Sequence, residues 1–298
     1  MYTMNMNYTA ITENAYAKIN LGLDIVGKRS DGYHLLRMVM QTLELHDTVT
    51  IRRMEPEQGI KTVTDVSLVK DDKDNLAYKA ALLLKEKYGI GDGMEIRIEK
   101  KIPVAAGLAG GSSDAAAVMR GVNRLFSLGL DKDELKIMGV SLGADVPYCI
   151  EGGTRLSEGI GELLTPVKSK IKGCPVLLIK PERGISTKEA YGEYDKDQSE
   201  IHPDTDAIVS AIEEGNVPLL GRLLGNVLER TALKKLPEIE EIRDFMLFKR
   251  LRGVLMSGSG PTVFAFDEDR ELITSVYEEG KEKFRGYDVI LTEFFDPE

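Results

Sequence analysis

The residues best suited to chemistry are concentrated in one segment, PVAAGLAGGSSDAA, at residues 103–116. Its three glycines, Gly107, Gly110 and Gly111, allow the backbone to approach a ligand closely. A helix is predicted to begin near Ser112, and the first amides of a helix have no carbonyl partner within it. The helix dipole is also positive at that end. The segment therefore predicts a phosphate site, and a side chain that only caps the helix is the alternative.

The elements that must position this loop are strands and helices in mixed order. Strands are predicted over 15–26 and over 38–54, the second with a break near His46-Asp47. Helices are predicted from an N-cap at Asp74 and over 217–230. Because strands often adjoin one another in the sequence, the pattern indicates an α+β fold rather than a doubly wound sheet.

The domain boundary is predicted from a change in sequence character after GADVPYC, where glycine-rich strands replace helices. A chain of 298 residues has the length of one large or two ordinary domains. We expect two domains, residues 1–155 and residues 156–298.

The composition excludes several classes of protein. With 39 Lys and Arg against 49 Asp and Glu, the net charge is −10, which argues against a partner nucleic acid bound by the overall field. The sequence has no apolar run long enough for a membrane helix and no signal-like start, so we expect a cytoplasmic protein with no membrane partner. Two cysteines and three scattered histidines provide neither a disulfide framework nor a metal cluster, and no metal ligand is assigned. A monomer and a weak homodimer both fit the composition.

Three segments resemble, in order, the three motifs of the GHMP kinases: AYAKINLGLDIVGKRSDGYHLL, PVAAGLAGGSSDAA and GVLMSGSGPTVFAF. The resemblance covers nearly the whole chain. It implies an ATP-binding N-terminal half like domain 2 of ribosomal protein S5 and a ferredoxin-like C-terminal half. It also implies ATP with Mg²⁺ as cofactors, and a small-molecule substrate. The tight turn Ser257–Gly260 in the third motif is expected to support the glycine-rich loop.

The same resemblance assigns the nucleotide site and a catalytic pair. The implied nucleotide-binding residues are Pro103, Val104, Ala105, Ala106, Gly107, Leu108, Ala109, Gly110, Gly111, Ser112 and Ser113. The implied catalytic residues are Lys18 and Asp145.

This pair makes chemical sense for phosphoryl transfer. An alcohol is a poor nucleophile at neutral pH, so a carboxylate within hydrogen-bond reach is the natural base, and Asp145 would supply it. Lys18 could keep that carboxylate ionised or contact the transferred phosphoryl group directly. A structural ion pair is the alternative for both residues.

Within the family, GADVPYCIEGG and IKPERGISTKEAY resemble kinases whose substrate is a cytidine diphosphate-linked methylerythritol. The resemblance implies phosphorylation of its 2-hydroxyl, a step of non-mevalonate isoprenoid synthesis. The implied substrate-binding residues are Asn20, Tyr33, His34, Thr187 and Tyr191. Core packing is the alternative for the aromatic residues. Another GHMP kinase and a non-catalytic ATP-binding protein are the alternative functions.

Several positions leave questions open. Ala109 replaces a glycine usual in the family, and its methyl group is expected to keep the backbone in ordinary dihedrals. Asp114 either caps the helix or helps to place magnesium, and Ser113 could face the same metal. The stretch Arg155–Glu158 departs from the small and basic residues that the resemblance leads us to expect. Glu158 would be unfavourable beside a diphosphate, so either it points away or the substrate is not the expected one.

Overall fold

The computed structural model describes residues 9–65, 74–198 and 201–297. The strands in these ranges are β1 (Ala10–Lys28), β2 (His34–Met54), β3 (Ile60–Thr64), β4 (Gly93–Glu99), β5 (Thr154–Gly159), β6 (Leu163–Pro166), β7 (Pro175–Lys180), β8 (Gly225–Asn226), β9 (Arg252–Met256), β10 (Val263–Phe266) and β11 (Asp288–Glu293). The α-helices are α1 (Leu76–Tyr88), α2 (Gly110–Leu125), α3 (Lys132–Gly139), α4 (Val146–Glu151), α5 (Thr187–Tyr194), α6 (Thr205–Glu214), α7 (Val217–Leu223), α8 (Glu229–Lys235), α9 (Glu238–Phe248) and α10 (Arg270–Lys283).

The chain forms two compact units that are interleaved along the sequence. The first unit comprises the described residues of Met1–Tyr16, His46–Ile102 and Gly110–Glu151. The second unit comprises those of Ala17–Leu45, Pro103–Ala109 and Gly152–Glu298. The predicted domains 1–155 and 156–298 divide the chain at a single point and stay a prediction.

The first unit packs helices on a mixed sheet. The second half of β2 pairs with β4, from Thr48 opposite Glu99 to Met54 opposite Gly93, and β3 runs parallel to β4. Helices α1 and α2 pack on each other. Ala115, Ala116 and Ala117 are buried in α2, and such small side chains allow helices to approach closely.

The second unit contains a four-stranded antiparallel sheet in the order β11-β7-β10-β9. Every residue of β7 is buried, as its continuous apolar run predicts. Helices α9 and α10 pack on this sheet. In the same unit, the first half of β2 pairs with β5, and β5 pairs with β6. The prediction of an α+β fold is confirmed.

Three local predictions were wrong. β2 continues through His46 and Asp47, because the buried Asp47 carboxylate accepts hydrogen bonds from the backbone amides of Lys101 and Ile102 and so is satisfied inside the protein. The N-cap of α1 is Asn75, not Asp74, since its Oδ1 accepts from the amide of Ala77 at 2.8 Å.

The helix predicted over 217–230 is interrupted by β8, which pairs in parallel with Gly22 and Leu23 of β1. The buried side chain of Asn226 explains the interruption. Its Nδ2 donates to the carbonyl oxygens of Met256 and Gly258, each at 2.8 Å, and its Oδ1 accepts from the amide of Leu228 at 3.0 Å. Asn226 thereby anchors the turn that follows β9.

We predict that Asn226→Asp lowers the free energy of unfolding by about 1–3 kcal/mol, because a carboxylate cannot donate to the two carbonyl oxygens. Urea denaturation would measure the change. Asn216→Asp is the matched control, since Asn216 only accepts, from the amide of Leu219, and aspartate preserves that bond. Equal unfolding free energies for the two variants would contradict the anchoring role.

Candidate active site

In the second unit, Lys18 and Asn20 form a buried pair on β1. Residues two apart on a strand lie on the same face, and the Lys18 Nζ donates to Asn20 Oδ1 at 2.7 Å. The Lys18 amide also donates to the carbonyl oxygen of Leu108 at 3.2 Å. The strand that carries the predicted catalytic lysine is therefore bonded directly to the glycine-rich loop.

The turn after β9 supports that loop from another side, as predicted. The Ser257 hydroxyl donates to the carbonyl oxygen of Gly107 at 3.0 Å, and the Thr262 amide donates to that of Ala106 at 3.4 Å. A Cβ on Gly107 would lie 2.3 Å from the Ser257 carbonyl oxygen, so only glycine fits at this position. The loop conformation is thus set by long-range backbone contacts.

The same turn lies against the lysine–asparagine pair. A Cβ on Gly258 would lie 3.4 Å from Asn20 Oδ1 and 3.5 Å from Lys18 Nζ. The φ of Gly258 is +57°, which favours glycine. The turn therefore leaves little space around the lysine ammonium.

The expectation for Ala109 was wrong. Its φ is +59° and that of Ala105 is +52°, both in the left-handed region that L-residues usually avoid. Such a conformation costs about 1–2 kcal/mol per residue and persists where the surroundings enforce it. Here the bonds to Lys18, Ser257 and Thr262 hold the loop.

Helix α2 begins directly after Ala109 and is not capped by that residue, because alanine has no side-chain oxygen. Six other helices in the described residues begin after a side chain that accepts from an amide of the first turn: Asn75, Asp131, Ser186, Asp204, Asn216 and Asp269. At α2 the first amides have no carbonyl partner within the helix, and the helix dipole favours negative charge there. This arrangement fits a triphosphate.

The side chains of Asp114 and Ser113, near the start of α2, both have hydrogen-bond partners within the protein. Asp114 does not cap the helix, since its Oδ2 accepts from Lys100 Nζ at 2.8 Å. Ser113 is buried, and its hydroxyl donates to the carbonyl oxygen of Tyr16 at 2.5 Å. No group of three or more potential metal-ligating side chains occurs among the described residues.

A buried charge cluster includes Asp114, in the N-terminal part of α2. The ammonium of Lys100 contacts the carboxylates of both Asp47 and Asp114, and all three side chains are buried. Burial is the main cause that raises the pKa of Asp114 to about 7, the attraction of Lys100 opposes it, and the nearby carboxylate of Asp47 raises the pKa further. Sequence reasoning missed this cluster.

Asp145 immediately precedes α4 in the first unit. Its carbonyl oxygen accepts from the Cys149 amide at 3.0 Å, and α4 packs on α2. A Cβ on Gly143 would lie 3.8 Å from Ser112 Oγ. The segment that carries Asp145 is therefore brought to the first turn of α2, although 31 positions separate Ser112 and Gly143 in the sequence.

The predicted substrate-binding residues Tyr33, His34, Thr187 and Tyr191 all lie in the second unit. The rings of His34 and Tyr191 are 5.1 Å apart and inclined by 30°. The Thr187 hydroxyl is 3.2 Å from that of Ser259. The Tyr33 side chain is exposed and gives no support to the packing alternative for that residue.

Glu158 has a positive partner. Its Oε1 lies 3.4 Å from Nε of Arg37, whose guanidinium also pairs with Asp206 at 2.7 Å. Glu158 is therefore paired with a cation that it shares with Asp206.

Comparison with known proteins identifies the family. The sequence profile of the GHMP kinases N terminal domain matches residues 75–153, and that of the GHMP kinases C terminal domain matches residues 208–286. The chain belongs to the GHMP kinases. It is a small-molecule kinase that uses ATP.

Its relatives in the GHMP kinases include proteins named 4-diphosphocytidyl-2-C-methyl-D-erythritol kinase. The protein of Clostridium botulinum (strain Alaska E43 / Type E3) is 46% identical over 281 residues, which cover 93% of this chain and 98% of that protein. The protein of Acetivibrio thermocellus is 47% identical over 269 residues, which cover 90% and 94%.

Solved structures of GHMP kinases share the fold. A crystal structure of 4-(cytidine 5'-diphospho)-2C-methyl-D-erythritol kinase is 31% identical, with a TM-score of 0.79 over 96% of this chain and 100% of that chain. Homoserine kinase from Cytophaga hutchinsonii is 19% identical, with a TM-score of 0.77 over 99% and 97%, and shows the fold alone. No described helix of this GHMP kinase has the length and apolarity to cross a bilayer.

We predict that Gly111→Val weakens the binding of a non-hydrolysable ATP analogue at least about tenfold, or about 1.4 kcal/mol, and hardly changes the unfolding midpoint. A Cβ on Gly111 would lie no closer than 3.8 Å to any other atom, so the valine side chain would not crowd the protein. It would instead occupy the space next to the first amides of α2, where the phosphates are expected to bind. Calorimetric titration would measure the affinity. Gly91→Val, at an equally open position, is the control, and equal affinities for the two variants would argue against a phosphate site here.

We predict a pH dependence of stability from Asp114. Its pKa is higher in the folded protein than its ordinary value of 3.8, so its contribution to stability is fully present below that value and is lost as the pH rises through about 7. Between pH 5 and 8, the wild type should therefore lose unfolding free energy relative to Asp114→Asn.

Urea denaturation at pH 5, 6.5 and 8 would check this. Asp133→Asn is the control, because the exposed Asp133 has a lowered pKa and stays ionised over that range. Parallel stability curves for the wild type and Asp114→Asn would refute the assignment.

Proposed function

We propose that this kinase transfers the γ-phosphoryl group of ATP to the 2-hydroxyl of 4-diphosphocytidyl-2-C-methyl-D-erythritol, a step of non-mevalonate isoprenoid synthesis. The observation that carries the proposal is identity of 46–47% over nearly the full length of relatives with that name. The exposed Tyr33 and the paired rings of His34 and Tyr191 supply aromatic surface suited to a nucleobase.

Asp145 is the proposed general base. Its carboxylate accepts the proton of the 2-hydroxyl as the hydroxyl oxygen bonds to the γ-phosphorus and the bond from that phosphorus to the β–γ bridging oxygen breaks, which leaves ADP. The segment that precedes α4 supports the role, because its Gly143 lies beside Ser112 in the first turn of α2, where the phosphates are proposed to bind.

Lys18 is the second proposed catalytic residue. Its ammonium is buried and held by Asn20, and its backbone is bonded to the loop at Leu108. A positive charge fixed in this way stabilises the negative charge that develops on the phosphoryl oxygens without reorganising during the reaction. Asn20 then serves to orient the lysine as well as to bind substrate.

The nucleotide is proposed to bind along 103–113, with its phosphates at the amides of Gly110, Gly111 and Ser112. Magnesium bound with ATP neutralises charge on the phosphate oxygens. The Ser112 hydroxyl is the better oxygen ligand for it, since the Ser113 hydroxyl is buried and donates to Tyr16. Phosphate oxygens and water would complete the coordination.

The substrate assignment is tested by ADP release with a panel of alcohols. We expect the highest kcat/KM for 4-diphosphocytidyl-2-C-methyl-D-erythritol over homoserine, mevalonate and the same alcohol without its cytidine. Preference for one of those three would favour another GHMP kinase activity, and ATP binding without turnover of any would favour a non-catalytic protein.

We predict that Asp145→Asn lowers kcat by about 10²–10⁴-fold, the usual contribution of a general base, and leaves the affinity for an ATP analogue within about twofold. Single-turnover assays and calorimetry would separate the two quantities. Asp133→Asn, an exposed carboxylate in the same unit, is the control. A kcat close to that of the wild type would remove Asp145 from the mechanism.

A further inference from the structure

A carboxylate at the end of α5 contacts one of the residues proposed to recognise the base. The Oδ1 of Asp195 lies 2.8 Å from Nε2 of His34, and its Oδ2 accepts from Lys28 Nζ at 2.7 Å. All three residues belong to the second unit. Neither the motifs nor the proposed mechanism assigns a role to Asp195 or Lys28.

The His34 ring also contacts two aromatic rings of α5, those of Tyr191 and Tyr194. Its centroid lies 5.1 Å from that of Tyr191 at 30°, and 6.3 Å from that of Tyr194 at 83°. Only 13% of the His34 side chain is exposed. With two ring contacts and one polar contact, the imidazole has a defined orientation.

The contact with Asp195 decides which ring nitrogen carries the proton. An ionised carboxylate only accepts hydrogen bonds, so Nε2 must donate. The hydrogen bonds from Lys28 and His34 lower the pKa of the Asp195 carboxyl, which keeps it ionised at neutral pH. In the neutral imidazole, Nδ1 is then left with a lone pair and acts as an acceptor.

We propose that Asp195, supported by Lys28, is a positioning residue for base recognition that holds His34 with Nδ1 as an acceptor for the exocyclic amine of a cytosine-type base. The inference rests on the proposed function in taking a cytidine nucleotide as substrate. An acceptor at this place favours a 4-amino group, which donates, over the 4-oxo group of uracil, which does not. Asp195 thereby contributes to specificity without contacting the base.

Asp195→Asn is the test, because an amide can donate to Nε2 through its nitrogen or accept through its oxygen and so no longer selects one tautomer. The measurement is the ratio of kcat/KM for 4-diphosphocytidyl-2-C-methyl-D-erythritol to that for its uridine analogue. We expect this ratio to fall about tenfold or more, through a higher KM for the cytidine substrate with kcat nearly unchanged. Asp195→Glu, which keeps a carboxylate, should restore part of the ratio.

Asp197→Asn is the matched control. Asp197 lies two residues further along, is exposed to the same degree (34% against 35%), and also pairs with two basic side chains, Arg230 and Lys234. Its replacement should leave the ratio unchanged. A ratio within about twofold of the wild type in Asp195→Asn, or an equal fall in both variants, would overturn the proposal.

A second readout does not depend on turnover. The chain has three histidines, so ¹⁵N spectra of the imidazoles can be assigned with His34→Gln. At a pH where the ring is neutral, we expect His34 to carry its proton on Nε2 in the wild type. In Asp195→Asn we expect a mixture of the Nε2-protonated and Nδ1-protonated tautomers. His202, whose Nδ1 lies 2.6 Å from Asp24 Oδ1, should show the opposite tautomer.

The two measurements separate the two claims. An unprotonated Nε2 in wild-type His34 would refute the positioning role whatever the activity. A protonated Nε2 in an enzyme that turns over neither the cytidine nor the uridine substrate would refute the proposed function and, with it, the role of His34 in base recognition. The expected tautomer together with the expected loss of selectivity would support both.

Discussion

The proposed phosphate site depends on the first backbone amides of α2, which have no carbonyl partner within the helix. Ala109, the residue before the helix, has no oxygen with which to cap it, and the helix dipole adds positive potential at the same place. A triphosphate supplies both the missing acceptors and the complementary charge. The loop therefore leads into the helix without a capping side chain at Ala109. Within the loop, Ala105 and Ala109 adopt a left-handed backbone conformation.

Polar contacts within each unit hold the segments on either side of Ala109. In the second unit, the turn at Ser257 and Gly258 touches both the loop and the Lys18–Asn20 pair, and Asn226 anchors that turn. In the first unit, Lys100 joins the early part of α2 to β2 through two carboxylates, and burial together with the nearby carboxylate of Asp47 raises the pKa of Asp114. Both arrangements use buried polar groups that are costly to leave unpaired, which restricts each unit to one local geometry.

Features with a local signal could be predicted from the sequence. The glycines of the loop, the i, i+2 spacing of Lys18 and Asn20 and the continuous apolar run of β7 each follow from a few neighbouring residues. Residues whose partners are distant in the chain could not be predicted: Asp47 bonds to residues 54 and 55 positions away, Asn226 to residues 30 and 32 positions away, and Asp195 to a histidine 161 positions away. The conformation of Ala109 could not be predicted either, because long-range bonds to its loop outweigh its intrinsic backbone preference.

Backbone amide ¹⁵N–¹H shifts during titration with a non-hydrolysable ATP analogue and Mg²⁺ would show whether the start of α2 binds the phosphates. We expect the largest shifts at the amides of Gly110, Gly111, Ser112 and Ser113, with downfield proton shifts as these groups gain acceptors. Saturable binding with unchanged shifts at those four amides, and the largest changes in another part of the chain, would contradict it.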